Sequence, residues 1–216
     1  MKSLNFSQQD FVFDPAAARP VTLIGAGSVG SQVATMLAKI GVSEIRVYDA
    51  DYVESHNIPM SAYGTRDLGL LKVEALERIL LEQSDMRIAS VPDMYAGEPL
   101  KNSVVACVDT MEARKLIWEQ VKMNPNVDIL VDTRIAGEFV SVFAVDPCNQ
   151  EDIAYYESFL YPSSEALQPT CGFHGIIYVS AQAAVAVCAN LTAKWSNGRM
   201  RRHFRLLVGD LEPLGS

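Results

Sequence analysis

The sequence predicts one α/β domain with a doubly wound, mainly parallel sheet that turns antiparallel towards the C-terminus. Three observations carry this expectation. Apolar runs of strand length alternate with helical periodicity along most of the chain; a glycine-rich turn, Gly25-Ala26-Gly27-Ser28-Val29-Gly30, joins the first such pair; and acids stand where strands end, at Asp49 and Asp109. Alternation of this kind belongs to a sheet covered by helices on both faces, so the expected fold is Rossmann-like. The 216 residues suffice for one such domain, 1–216, but not for an additional substrate domain of ordinary size.

Taken in order, Val21-Thr22-Leu23-Ile24 reads as the first strand and residues 32–40 as the first helix, with Val33, Met36, Leu37 and Ile40 on one face. Between them, glycines at 25, 27 and 30 suit a tight turn, a close backbone approach to phosphate, and close packing of helix on strand. The helix start offers unpaired N–H groups to an anion. Gly41 is placed to end the helix in a left-handed conformation, and Ile45-Arg46-Val47-Tyr48 reads as the second strand. Asp49 at its end can reach ribose hydroxyls.

Residues 71–83 form an amphipathic pattern, with Val73, Leu76, Ile79 and Leu80 on one face and Lys72, Glu74, Glu77 and Arg78 towards the other. Strands are expected at 86–91 and 104–108, the second ending in Asp109-Thr110, followed by a helix over 112–121. A further strand at 127–132 leads through Gly137 to Phe139–Val145, which reads as antiparallel. Residues 146–172 form a long segment with Pro147, Pro162 and Pro169, one short helix at 153–160, and Cys171 near its end. Long loops of this kind are usually mobile or functional. Residues 175–193 carry no charge, but Ser180, Gln182, Asn190, Thr192 and many alanines favour a helix buried against a sheet over a membrane span.

Composition narrows the function. A net charge of -8 and a pI near 4.9 lack the basic footprint of nucleic-acid binding. The local run Arg199, Arg201, Arg202, Arg205 reads as a solvated turn before a final strand. Residues 1–15 hold one lysine and no apolar core of a signal peptide, which favours a cytoplasmic location. The four cysteines form no CxxC pair, which argues against structural zinc. Cys107 and Cys188 fall in apolar patterns, whereas Cys148 and Cys171 fall in loops; free thiols of this kind suit a reducing compartment.

Function turns on Asp49-Ala50-Asp51-Tyr52-Val53-Glu54-Ser55-His56-Asn57 and Lys72. A nicotinamide site would use the glycine turn and Asp49 but leave Asn57, Lys72 and Asp109 unexplained. Those offsets suit the phosphates of ATP. Plainer readings exist for each: Lys72 as an exposed helix lysine, Asn57 as a turn residue, Asp109 as a helix cap, His56 as a loop-orienting group, and His174 as packing beside Cys171.

Together these motifs resemble the ThiF, MoeB and HesA family, the adenylating domain shared with ubiquitin-activating enzymes. The resemblance runs over residues 21–195 and rests on the Gly25/Gly27/Gly30 turn, Asp49-Ala50-Asp51 with Asn57, Gly69-Leu70-Leu71-Lys72, and Cys107-Val108-Asp109 with Arg114. It implies activation of the C-terminal carboxylate of a ubiquitin-like or sulfur-carrier protein as an acyl adenylate, using ATP and Mg²⁺, in a homodimer. By the same resemblance Asp109 holds Mg²⁺, Lys72 and Asn57 meet the phosphates, Asp49 binds ribose with Asp51 beside it, and Cys171 accepts the activated carrier. A thiolate at Cys171 would benefit from the dipole of the helix that follows.

Two departures stand out. Where many members follow the asparagine with arginine and glutamine, this chain has Ile58-Pro59-Met60-Ser61, and an arginine expected near Ser7-Gln8-Gln9 is absent. Arg66, Arg19 and Arg134 are the candidates to replace them. The zinc-binding cysteine pairs, the separate catalytic-cysteine domain and the ubiquitin-fold domain of larger relatives are also missing from this sequence. Two rivals therefore stay open: a catalytically weakened nucleotide-binding scaffold that recruits a partner, and an NAD-dependent oxidoreductase. A branch acting on a tRNA carboxyl modification is disfavoured by the acidic charge.

Overall fold

A computed structural model describes residues 4–161, 175–209 and 212–213. Its strands are β1 (Val21–Ile24), β2 (Ile45–Tyr48), β3 (Ala89–Val91), β4 (Asn102–Ala106), β5 (Val127–Ala136), β6 (Phe139–Val145), β7 (His203–Leu207) and β8 (Glu212–Pro213). They form one eight-stranded sheet in the order β3-β2-β1-β4-β5-β6-β7-β8. The pairs from β3 to β5 are parallel, and those from β5 to β8 are antiparallel. The expected doubly wound sheet with an antiparallel C-terminal part is the observed one. Because β2 and β4 flank β1 on opposite sides, the connection order reverses at β1, and its carboxyl end is the place where open sheets of this class bind ligands.

Successive strand residues point to opposite faces, and two cores result. Leu23, Val105, Ile129, Val131, Val140 and Val142 pack against α1 (Ser28–Ile40), α2 (Lys72–Ser84) and α5 (Ile177–Asn197). Their neighbours Ile24, Val104, Leu130 and Phe143 pack against α3 (Met111–Val121) and α4 (Gln150–Glu157). The uncharged segment becomes α5 as expected, burying Val179, Ala183, Ala184, Val187 and Leu191. Small alanines let its backbone lie close to α1 and the sheet. No helix among the described residues is long and apolar enough to cross a membrane.

Several boundaries moved for identifiable reasons. The strand expected over 86–91 pairs only at Ala89–Val91, since Met86 and Ile88 are spent filling the core after the left-handed cap Asp85. The strand expected over 104–108 runs over Asn102–Ala106, although the Cys107 amide still donates to the Ile24 carbonyl at 2.8 Å. The short helix expected over 153–160 begins at Gln150, because the Asn149 side chain accepts the amides of Glu151 and Asp152. The basic run is more than a solvated turn: Arg202 Nε meets buried Asp152 at 2.6 Å, and Arg205 lies within β7.

Candidate functional site

The glycine turn sits between β1 and α1, and its three glycines do different things. Gly25 adopts φ 95°, and a Cβ there would fall 2.3 Å from the Cys107 carbonyl oxygen. A Cβ on Gly30 would fall 2.0 Å from the Gly25 carbonyl oxygen. Both positions exclude a side chain because the protein itself fills the space. At Gly27, the residue that precedes α1, nothing lies within 4 Å. The open face is therefore at Gly27, and no side chain caps α1 there nor does an acid stand in its first turn. By contrast, Thr110 caps α3 and Asn149 caps α4. The start of α5 is also uncapped, but at α1 free amides and the positive helix end coincide with the open face at Gly27, which suits an anion.

Asp49 follows β2 and is buried. Its Oδ2 accepts the Ala26 amide at 2.7 Å and its Oδ1 accepts the Asp51 amide at 2.9 Å, so the carboxylate shapes the glycine turn directly. Lys72 opens α2 at only 8% exposure, which overturns both its place on the solvent face of that helix and the plainer reading of an exposed lysine. Its Nζ lies 2.6 Å from Asp51 Oδ2 and 3.8 Å from Asp49 Oδ1. Asp51 itself is 66% exposed, so the lysine joins a buried acid to a solvent-facing one. Lys72 lines a cleft of about 260 Å³ with Asp51, Tyr52, Glu54, His56 and Asn57.

Asn57 Oδ1 accepts the Glu54 amide at 2.8 Å, which holds the turn of 3-10 helix Ser55–Met60. Its plain role as a turn residue is thus real, and its side-chain NH₂ has no partner among the described residues. His56 Nδ1 lies 3.4 Å from Glu54 Oε2 with both side chains exposed, a pairing that orients the loop at most weakly. Asp109 is exposed, and among the described residues it has no hydrogen bond or ion pair. It is not the cap of α3, since the Thr110 hydroxyl takes the Ala113 amide. No cluster of three acidic, histidine or cysteine ligands occurs among the described residues. A magnesium site needs only one or two carboxylates when phosphates complete it, so a single free acid at this edge fits such an ion.

Arg114 belongs to a different cluster. Its Nε lies 3.0 Å from Asp132 Oδ1, and its other nitrogens donate to the Thr110 and Thr133 carbonyls. Asp132 is fully buried and also takes Arg134 Nε at 3.0 Å and the Tyr156 hydroxyl at 3.1 Å. Arg134, proposed from sequence as a phosphate ligand, is bound here and to the Phe159 carbonyl. Arg19 pairs with Asp128 at 3.1 Å, beside the amino end of β5 and away from the glycine turn. Arg66 is exposed, with no ion pair among the described residues.

Burial pushes the Cys107 and Cys188 thiols up to about 12; Cys188 is a core thiol, Cys107 is half-buried beside the core, and Cys148 is exposed. Cys171 and His174 lie outside the described residues. Sequence reasoning missed Tyr63 and Asp132, whose partners are remote in the chain: Tyr63 donates to Ala26 at 2.6 Å, and Asp132 binds Arg114. Tyr63 stands in no motif; Asp132 closes the strand expected over 127–132, but β5 runs on to Ala136, and only the fold brings Arg114 to it.

Comparison with known proteins agrees with this fold. The chain is 31% identical over 119 residues to ubiquitin-like modifier-activating enzyme 5 of Drosophila persimilis, covering 46% of this chain and 31% of that protein. The same enzyme of Caenorhabditis briggsae is 31% identical over 141 residues, covering 57% and 32%. The matches thus span about a third of the length of these relatives. Among solved structures, PaaA superposes with a TM-score of 0.72 at 15% identity, covering 93% of this chain and 64% of that one. E. coli MccB with ATP gives 0.69 at 17% identity, again covering 93% and 64%. The model of the ThiF family matches residues 16–208, nearly the whole chain, and the protein belongs to that family.

Proposed function

We propose that this protein is an ATP-dependent adenylyltransferase that activates a C-terminal carboxylate of a ubiquitin-like or sulfur-carrier protein. The observation that carries the reading is Lys72, a buried lysine at the first turn of α2, held between Asp49 and Asp51 at the edge of a cleft. A lysine so placed carries its charge within reach of the glycine turn, because Asp49 touches both.

The reaction suits a site without a catalytic histidine. A carboxylate oxygen attacks the α-phosphorus, a new O–P bond forms, and the bond to the pyrophosphate oxygen breaks. The nucleophile is already ionised at neutral pH, so no base is needed. The protein's tasks are alignment and charge neutralisation. The amides at the start of α1 and the Gly27 opening would receive phosphate, with Lys72 and the NH₂ of Asn57 at its flank. Asp49 and exposed Asp51 would take the ribose, and Asp109 would bind the magnesium ion, which supplies charge neutralisation on the departing pyrophosphate. Transfer to Cys171 and pairing of two copies belong to the same proposal.

A second reading has its own support. Arg19 and Arg134, two of the three arginines able to replace the missing phosphate ligands, are engaged elsewhere, which suits a nucleotide-binding scaffold that recruits a partner. Thermal unfolding with Mg·ATP, and in parallel with NAD and NADH, separates the readings. Stabilisation by Mg·ATP that Lys72→Ala and Asp109→Ala both weaken is expected. Stabilisation by nicotinamides alone would sink the ATP reading. With a cognate carrier in hand, pyrophosphate exchange marks the enzyme, and its absence despite ATP binding marks the scaffold.

A further inference from the structure

We infer that Tyr63 is a positioning residue that sets the glycine turn against Lys72; the inference rests on the nucleotide reading of this cleft. Tyr63 is 4% exposed and lies between the Asn57 turn and α2. Its hydroxyl is 2.6 Å from the Ala26 carbonyl oxygen and 3.2 Å from the Lys72 carbonyl oxygen. The single phenolic proton goes mainly to the nearer acceptor. Ala26 lies inside the glycine turn and Lys72 opens α2, so one buried side chain touches both elements that would meet the phosphates.

The opposite edge of the same residue is also held. The Ala26 amide donates to Asp49, and its carbonyl accepts from Tyr63, so the turn is gripped from both sides. Asp49 in turn lies 3.8 Å from the Lys72 ammonium, while Tyr63 lies against the Lys72 backbone. The two elements are coupled twice, once through charge and once through backbone contact. Burial, with Asp49 and Asp67 nearby, raises the phenol well above its ordinary range, so it remains a donor at any working pH.

The segment that brings Tyr63 there is itself laid along the first turns of α1. Gln32 Nε2 donates to the Met60 carbonyl at 3.2 Å and to the Ser180 hydroxyl at 2.6 Å, and the Ala62 amide donates to Ser31 Oγ at 3.1 Å. Residues 60–63 therefore form a strap across the start of the helix whose N-terminus faces the ligand. This segment overlaps Ile58-Pro59-Met60-Ser61, which stands where the resemblance leads one to expect an arginine and a glutamine. With those residues gone, the strap contributes through geometry rather than charge.

The test measures Mg·ATP affinity by calorimetry for wild type, Tyr63→Phe, Lys72→Ala and the double variant, with circular dichroism and unfolding curves to establish that each folds. Tyr63→Phe keeps the ring and removes only the hydroxyl. The expected result is a loss of affinity of about five- to tenfold for Tyr63→Phe, which largely vanishes on the Lys72→Ala background. Unchanged affinity with a lowered melting point would reduce Tyr63 to a structural residue, and additive losses would break its link to Lys72; either overturns the inference. Should Tyr63→Phe fail to fold, Ser31→Ala releases the neighbouring strap contact and is held to the same cycle. If the wild-type chain binds no ATP while folded, the nucleotide reading itself fails, and the positioning role falls with it.

Discussion

At the carboxyl end of β2, Lys72 faces two carboxylates, one of them 66% exposed, whereas on the other side of β1 Asp132 in β5 faces two arginines and is fully buried. The first cluster is open to a cleft. The second is closed by Tyr156, by the Thr110, Thr133 and Phe159 carbonyls, and by the Phe143 ring 4.7 Å from the Arg134 guanidinium. Asp132 lies beside Ala106, the last residue of β4, so both clusters belong to the same edge of the sheet. What separates a binding site from a brace is solvent access, not the presence of charge. Arg114 Nε, Asp132 Oδ1 and Arg134 Nη2 are buried there without a hydrogen bond, held by charge alone and out of a ligand's reach.

The comparison breaks most visibly at Asp132. Asp132→Ala strands two arginines, one only 6% exposed in its side chain, and is expected to cost about 3–5 kcal/mol in chemical denaturation, the usual penalty for an uncompensated buried charge. A loss below about 1 kcal/mol would mean that water reaches the cluster and that it is no brace.

Next come two glycines of one turn. Gly30→Ala would drive a methyl into the Gly25 carbonyl and should destabilise the fold by about 1–3 kcal/mol. Gly27→Ala meets open space and should change stability by no more than about 0.5 kcal/mol, yet it should weaken Mg·ATP binding if phosphate approaches there. Equal ATP affinity in Gly27→Ala and wild type would move the phosphate elsewhere.

Acid distinguishes the two regions further. His203 stacks on Phe143 with ring centroids 4.0 Å apart, with Tyr155 and Ser141 on its two nitrogens and Arg134 and Arg205 nearby. Burial, then these arginines, lower its pKa to about 4. The unfolded chain therefore binds the extra proton first, near its ordinary value of about 6.5. This contribution to stability is complete above that value and is lost as pH falls towards 4. Unfolding midpoints measured across this window should fall less in His203→Gln than in wild type; parallel curves would show that His203 is not the group responsible.

The smallest effect concerns thiols. Among the described cysteines only Cys148 is exposed, so it should react fastest with an aromatic disulfide in the folded protein, half-buried Cys107 more slowly, and Cys188 only after denaturant is added. Rapid labelling of Cys188 would imply that α5 lifts from the sheet in the folded protein.

Much of this is legible in the sequence alone. The strand–turn–helix unit at Gly25, the alternation through β5 and the antiparallel return at Phe139 follow from local pattern, because side-chain periodicity and turn chemistry act over a few residues. The boundaries at β3 and α4 were not, since Met86 was diverted to the core and Asn149 to a cap. At the candidate site, Asp49 and Lys72 were named from spacing, but their direct approach was not visible in it. Arg114 was read within a motif shared with the family, and the fold commits it to Asp132.

By itself the sequence determined the α/β class, the change from a parallel to an antiparallel sheet and the family, each encoded in short spacings or motifs. Only the tertiary structure decided that Lys72 is buried against Asp49, that Arg134 and Arg19 are already engaged, and that Tyr63 touches both the glycine turn and α2. The physical reason is that these contacts join positions far apart in the chain. Whether a charged or hydroxyl group is free or satisfied depends on what the fold brings beside it.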